Sequence, residues 1–562
     1  MTRAVLPLLA LVVVAGCAGD EPPEDLPPVE CGEIVEVPDE ALRALLLEVL
    51  PDRSTAGDTD TDSGGEVEPM IYAADLEELE GLRGAGLEIA DLTGLECAHG
   101  LVSLGLADNL IVDLEPLARL PLLREVELDD NPIRDLRPLA SIETLQKINV
   151  AHTEASDLGP LRYLVDLRHL DATSTGVSDL RPLAELLSLD TLVLDANAID
   201  DLEPLAELSE LFALRLAGNK IRDVEALAGL DRLEHLDLDA NQIESLAPLA
   251  GLVALRDLEA RDNKLSDVGG VGDKPELLEL DLEGNQISDL SGLSGLPKLI
   301  RLDVEDNALT SLAGVEGLLN LRTLLARQNE LSDAGPVAGL TALRRLDLRD
   351  NLGISDLQPL AGLVALDWLG IGGAPTTADF APLVGLPLLR QIEATFVAPT
   401  DLGVFTEMAA LRNLNLSDSP AITDASLGAL AGVTQLKGLI LHRTAISDAT
   451  PLFAILGLER FEAAGTEIAS LAEMSTWEDI TTISLEDTPL ASLAGVEAIT
   501  TLASLDVSGT AIDDLAPLIA LPNFRNGDGV DVRATALDAG DCPAILELRE
   551  RNAIVTADLT CE

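Results

Sequence analysis

Aromatic side chains are nearly missing from this sequence: Phe, Tyr and Trp make up 2% of its 562 residues. A globular core built on large ring anchors is thereby excluded. Cations are scarce as well, with 36 Lys and Arg against 99 Asp and Glu and a formal net charge of −63. That balance excludes a nucleic-acid binder, because phosphate contacts need clustered Lys and Arg. Only five histidines and five cysteines occur, and none of them forms a Cys-x-x-Cys or His-Glu-x-x-His motif. The one long apolar run, Ala4–Val14, is too short to cross a bilayer as a helix. Aliphatic residues are what the chain has in quantity, as the 47% hydrophobic content shows.

Those aliphatics are periodic. Between 109 and 351 a 22-residue pattern repeats without slippage, for example Leu123-Arg-Glu-Val126-Glu-Leu128-Asp-Asp-Asn131-Pro-Ile133-Arg-Asp135-Leu136-Arg-Pro138-Leu139. Its asparagine recurs at Asn109, Asn131, Asn197, Asn219, Asn241, Asn263, Asn285, Asn307, Asn329 and Asn351, with Thr153 and Thr175 in the two remaining places. Leu-x-x-Leu-x-Leu predicts a short strand with one face buried. The Asn falls where the chain turns inward, and its amide can bond backbone groups of adjacent coils. Ile-x-Asp-Leu-x-Pro-Leu then predicts a helical turn capped by Asp, with Pro tolerated in the first turn. A single coil cannot bury its leucines, but a stack can.

This strand–turn–helix unit resembles the 22-residue leucine-rich repeat of the internalin-like bacterial family, over roughly 70–562 and about twenty repeats. The resemblance implies an α/β solenoid: a horseshoe with a parallel concave β-sheet, short helical or 3-10 convex segments and a cap at each end. The array is expected at 98–535, regular at 98–351, irregular at 352–450 and regular again at 451–535. In the irregular part the Asn column becomes Ala374, Val397, Ser419 and Thr444, with steps of 22 to 25 residues. Thr466, Thr488 and Thr510 then restore the register. Irregular coils are either grafted function or repeat drift.

Residues 1–17 read as an export signal, and Val14-Ala15-Gly16-Cys17 resembles the lipobox of bacterial lipoproteins. Acylation of Cys17 would anchor the protein to a membrane without spanning it, and Ala18 by resemblance favours the outer membrane. An acidic Pro-rich tether follows at 18–30. Residues 31–97 resemble the N-terminal cap of internalin-like proteins, with Asp39 capping a helix that carries Leu42, Leu45, Leu46, Val49 and Leu50. Within it, 54–66 is an acidic loop. Its Asp58-x-Asp60-x-Asp62 has Ser63 and Pro69 where a calcium loop needs Gly and Glu, so a disordered insert is the better reading. Residues 536–562 form the C-terminal cap, with a helix after Pro543 and a last strand at 553–557.

Besides Cys17, the cysteines lie in the caps: Cys31, Cys97, Cys542 and Cys561. The ends of such an array stand on the order of 100 Å apart at roughly 5 Å per strand. Disulfides Cys31–Cys97 and Cys542–Cys561 are therefore expected, and export makes them admissible.

No catalytic constellation is present. His99, His152, His169, His235 and His442 are scattered over different coils, and the paired carboxylates are supplied by repetition. No enzyme, no metal site and no cofactor is expected, calcium being the one ion the acidity would suit. What remains is the outward face of the sheet, set by the residues six, four and two places before the Asn column. Its middle is acidic: Asp237, Asp239, Asp257, Glu259, Glu279, Asp281, Glu283, Asp303 and Glu305. A mixed stripe follows, Arg327, Arg345, Asp347, Arg349 and Trp368, and then Gln391, Glu393 and Phe396. Arg and Trp are enriched at binding hot spots.

Together these readings imply a monomeric, lipid-anchored recognition protein of the bacterial envelope, periplasmic or cell-surface, binding a protein or glycan on the concave face. The alternative from the same residues is a structural or calcium-bridged acidic spacer.

Overall fold

The computed structural model describes residues 29–51, 70–351, 353–472 and 474–561. The expected signal peptide with Cys17, nearly all of the tether and the acidic loop 54–66 lie outside the described residues. The chain divides into two compact units, Met1–Leu211 and Phe212–Glu562.

In the first unit the apolar alternation produces three-residue strands: Gly81–Arg83, Ser103–Gly105, Glu125–Glu127, Lys147–Asn149, His169–Asp171 and Thr191–Val193. Each pairs in parallel with the next at an offset of one repeat, so Leu82, Leu104, Val126 and Ile148 stack side by side. All four are 0–1% exposed. Burying one such side chain stabilises by about 1.5–3 kcal/mol, but only when the neighbouring coil supplies the other wall.

The asparagines close the coils. Asn131 Nδ2 donates to the Leu128 carbonyl of its own coil and to the Leu106 carbonyl of the preceding one, at 3.0 and 2.9 Å. Its Oδ1 accepts from the Ile111 N–H of that preceding coil at 2.9 Å. Threonine in the same place does less, because its hydroxyl is too short to reach the backbone of the preceding coil. Thr153 donates to Val150 and Thr175 to Ala172, each three residues back, and Thr175 adds only a longer cross-coil bond, to the Asn197 amide oxygen at 3.3 Å. The residue before the column is left-handed in most coils, as at Asp130 with φ 55° and Ser174 with φ 55°. Short polar residues and Gly adopt that conformation at least cost.

The N-terminal cap sits on this unit. Asp39 caps the helix Glu40–Val49 through the Leu42 N–H. Its other oxygen accepts from Ala90 and Asp91, tying the helix to the first coil. Leu42, Leu45 and Leu46 are buried, whereas Val49 is 47% exposed and lies off the packed face. The Cys31–Cys97 disulfide closes the cap.

The second unit repeats the architecture from Ala213–Arg215 to Ile554–Thr556, each strand parallel to the next. Many of its outer turns are short 3-10 turns, as at Gly335–Val337, where the Asp333 carboxylate accepts from Gly335 N–H at 2.9 Å. Two leucine positions hold other residues that still hydrogen-bond the preceding coil. Lys274, fully buried, donates from Nζ to the Leu249 carbonyl at 2.8 Å, and Trp477 donates to that of Leu452 at 3.2 Å.

The irregular steps have distinct structural causes. Strands Trp368–Ala378 and Gln391–Pro399 are far longer than the rest and pair beyond the turn, with a register shift between Gly372 and Thr376. The 25-residue step to Thr444 accommodates a true α-helix, Asp424–Leu430, opened by a Thr423/Ser426 capping box. A helix Cys542–Glu550 and the Cys542–Cys561 disulfide finish the unit.

Asn329 bonds Val304, Ala326 and Arg327 carbonyls and the Leu309 N–H. Asn329→Ala is expected to cost about 2–4 kcal/mol, and Asn329→Thr about half of that, by denaturant unfolding. Replacing Cys31 and Cys97 by Ser opens a 66-residue loop. The cap should lose about 4 kcal/mol, seen as faster amide exchange in the helix Glu40–Val49.

Candidate functional site

Parallel register turns the repeat into rows of side chains on the open face of the sheet in the second unit. One row aligns Asp237, Glu259, Asp281, Asp303, Leu325, Asp347, Gly370 and Glu393. The acidic residues expected on this face are there, but several are not solvated. Asp237, Asp303 and Asp347 are only 6%, 3% and 1% exposed, because flanking strands about 4.8 Å away bring other side chains over them.

Carboxylates this close together require cations, and the sequence places them in the same columns. Arg215 lies 3.1 Å from Asp237. Arg261 reaches Asp239 at 2.6 Å and Glu259 at 3.5 Å. Arg301 bonds Asp303 at 2.7 Å and stands 3.9 Å from Asp281. Reading the columns for acidity alone passes over these three arginines and over Leu325, an apolar side chain on the open face. His235 pairs with Asp257 at 2.6 Å, beside a depression of about 400 Å³ that Asp237, Glu259 and Glu279 also line.

Two triads, Asp237/Asp239/Glu259 and Asp281/Glu283/Asp303, hold their oxygens within 4.8 Å of one another. Among the described residues these are the groups that could share a divalent ion, although Arg261 and Arg301 already neutralise part of each. Burial, then repulsion from neighbouring carboxylates, pushes Asp303 up to about 7. Burial is also the main cause that raises Asp237 to about 6. Asp281, Glu259 and Glu305 move in the same direction for the same first cause.

The mixed stripe gathers into a smaller cluster. Trp368 is half-buried, not fully outward, with the Arg345 guanidinium 3.9 Å from its ring centroid and that of Arg349 at 5.3 Å. Gly370 leaves the space beneath, since a Cβ there would stand 2.6 Å from both the indole and Asp347. Arg349 forks onto Asp347, donating from Nε at 2.9 Å, while Arg327 turns away to Asp350 at 2.7 Å. Glu393 accepts from the amides of Gln391 at 2.8 Å and Asn415 at 2.7 Å. Phe396 does not belong to the cluster. It is 46% exposed in the left-handed turn position, with φ 54°, a conformation a bulky residue adopts only under strain.

Two of the five histidines do acquire carboxylate partners from the next coil. Besides His235, His442 lies 3.1 Å from Glu462, and its Nδ1 accepts from Ala464 N–H at 3.0 Å. That fixes the proton on Nε2, facing Glu462. Neither imidazole has a serine or cysteine hydrogen-bonded to it among the described residues, so neither forms a nucleophilic dyad.

A carboxyl raised in the folded state contributes stability that is complete below its unfolded value near 4 and is lost as pH rises through the folded one. For Asp303 that window runs from about 4 to about 7. Asp303→Asn should therefore stabilise the protein by on the order of 1 kcal/mol at pH 8 and leave it unchanged at pH 4, in paired denaturant titrations.

Two family models for leucine-rich repeats match residues 187–243 and 275–317. No curated protein sequence is detectably similar. An internalin from Listeria monocytogenes is 30% identical, with a TM-score of 0.54, and the similarity covers 60% of this chain and 95% of that one. A leucine-rich-repeat protein of Leptospira interrogans, 17% identical with a TM-score of 0.51, covers 87% and 97%. A plant peptide hormone receptor, also 17% identical, has a TM-score of 0.53 and covers 87% and 92%. These last two likenesses concern the fold alone. With a strand register, a bridging asparagine and 30% identity over nearly all of a solved internalin, the chain belongs to the internalin-like leucine-rich-repeat family.

Proposed function

We propose that this is an exported, non-enzymatic recognition protein that binds a protein ligand on the open face of the sheet in residues 212–562. The observation that carries the reading is the cluster of Arg345, Arg349 and Trp368 seated over Gly370 and Asp347. It fixes an aromatic and a guanidinium in one orientation before any ligand arrives, which lowers the entropy cost of binding. A protein ligand is favoured over a glycan because Arg345 and Gly370 already take the faces of the indole that a sugar ring would stack on. The spacer reading is weakened by Arg215, Arg261 and Arg301, which break the acidic face into neutralised segments.

Export is supported by the two cap disulfides, which persist only in oxidising compartments. No helix among the described residues is long and apolar enough to cross a membrane. Attachment is proposed to run through a lipid on Cys17, with the protein a monomer on the envelope.

Immobilised protein comprising residues 18–562 should retain a discrete partner from envelope extract. Trp368→Ala or Arg345→Ala should weaken that complex by at least about tenfold, or 1.4 kcal/mol, in titration with the purified partner. Equal affinity in both variants would rule out this cluster as the binding site.

A further inference from the structure

The residue that precedes each strand of the second unit forms a column of its own, set by backbone bonds from one coil to the next. Arg344 N–H donates to Arg322 O at 2.8 Å, Asp367 to Arg344 at 2.8 Å and Arg390 to Asp367 at 2.9 Å. Arg412 donates to Arg390 at 2.8 Å and Lys437 to Arg412 at 2.7 Å. Five of six consecutive coils thus carry a cation on one edge of the sheet, in a chain with a net charge of −63. Repetition does not explain this, because the same column holds Glu459 and Thr481 in the next two coils.

The cations are poorly neutralised from within. Among the described residues no carboxylate lies within ion-pair distance of the exposed Arg322 or Arg344. Arg390 and Asp367 are 4.0 Å apart, at the limit of contact. Among the described residues Arg412 bonds only the Ala409 and Leu411 carbonyls, and Lys437 alone has a close acid, Glu459 at 2.8 Å, with Asp479 at 3.9 Å. Like charges about 4.8 Å apart repel unless an anion is shared between them. Upstream the same column continues into two half-buried apolar residues, with Arg322 donating to Ile300 O and Ile300 to Leu278 O, both at 2.9 Å.

We infer that this edge is a docking strip for an acidic protein segment, its apolar end on Leu278 and Ile300 and its carboxylates on Arg322, Arg344, Arg390 and Arg412. Four of the five cations are Arg, whose planar fork suits carboxylate pairs. The apolar end distinguishes a polypeptide from a uniformly charged polymer. A nucleic acid or sulfated glycan would also extend its charge past the strip, at its downstream end onto Glu459 and elsewhere over a chain of net charge −63, where repulsion within the screening length of about 8 Å opposes it.

The test uses residues 18–562 and three fluorescent probes: a leucine-headed oligoglutamate peptide, a heparin fragment and a DNA oligonucleotide. The peptide is expected to bind at low salt and to be released by added salt. Arg322→Glu/Arg344→Glu/Arg390→Glu/Arg412→Glu should weaken it at least about tenfold, and the corresponding Gln variant by less. Circular dichroism melts check that both variants fold. Trp368→Ala should leave peptide binding within about twofold, so this result is separable from the binding site proposed above. Absence of peptide binding, equal binding by the charge-reversed protein, or tighter binding of heparin or DNA than of the peptide would each overturn the inference.

Discussion

An asparagine amide that bonds two coils at once is the constraint on which the rest of this molecule depends. A coil turns its backbone inward after every strand, and buried N–H and C=O groups at that turn must find partners. Asn131 finds them in its own coil and in the one before, so each leucine wall is held against its neighbour at a fixed distance. Where Thr466, Thr488 and Thr510 take over, the side chain closes only its own turn, through Ala463, Leu485 and Val507. Coils there are joined by strand pairing and leucine packing without the amide bridge.

The same fixed spacing governs the charge. Stacking strands about 4.8 Å apart forces any residue type repeated in a column into rows of itself. In the acidic part this gives carboxylates that burial and mutual repulsion raise above their usual range, relieved by Arg261 and Arg301. In the basic part it gives an edge whose guanidinium groups outnumber the acids near them. One geometric rule thus produces two surfaces of opposite sign within a single unit.

The fold was almost fully legible in the sequence, because a one-dimensional period specifies a one-dimensional stack. Even the cap helix and the outer turns follow from local capping residues, Asp39 and the Ile-x-Asp aspartates. The site was legible only as a list of columns. That Arg349 would fork onto Asp347 while Arg327 turned away to Asp350 depends on rotamers and neighbours that periodicity does not encode. Likewise, the sequence shows Gly370 only as a glycine, whereas in space it is the gap that lets an indole lie flat. The paired long strands around Gly372 were signalled by a one-residue excess in the spacing, but an excess does not say whether it becomes a bulge, a loop or a ladder.

A register held by bonds that recur every 22 residues also determines how such a chain can change. Removing or duplicating a whole coil exchanges each bridge for an equivalent one, whereas a single inserted residue turns the following leucines toward water unless it is absorbed outside the strand. Length is then a stepwise quantity, added or lost by about 4.8 Å per coil. Recombination between repeats can move the carboxylate rows and the arginine edge nearer or farther apart without altering the chemistry of either. The repeat that builds the core thereby acts as a ruler for the surface.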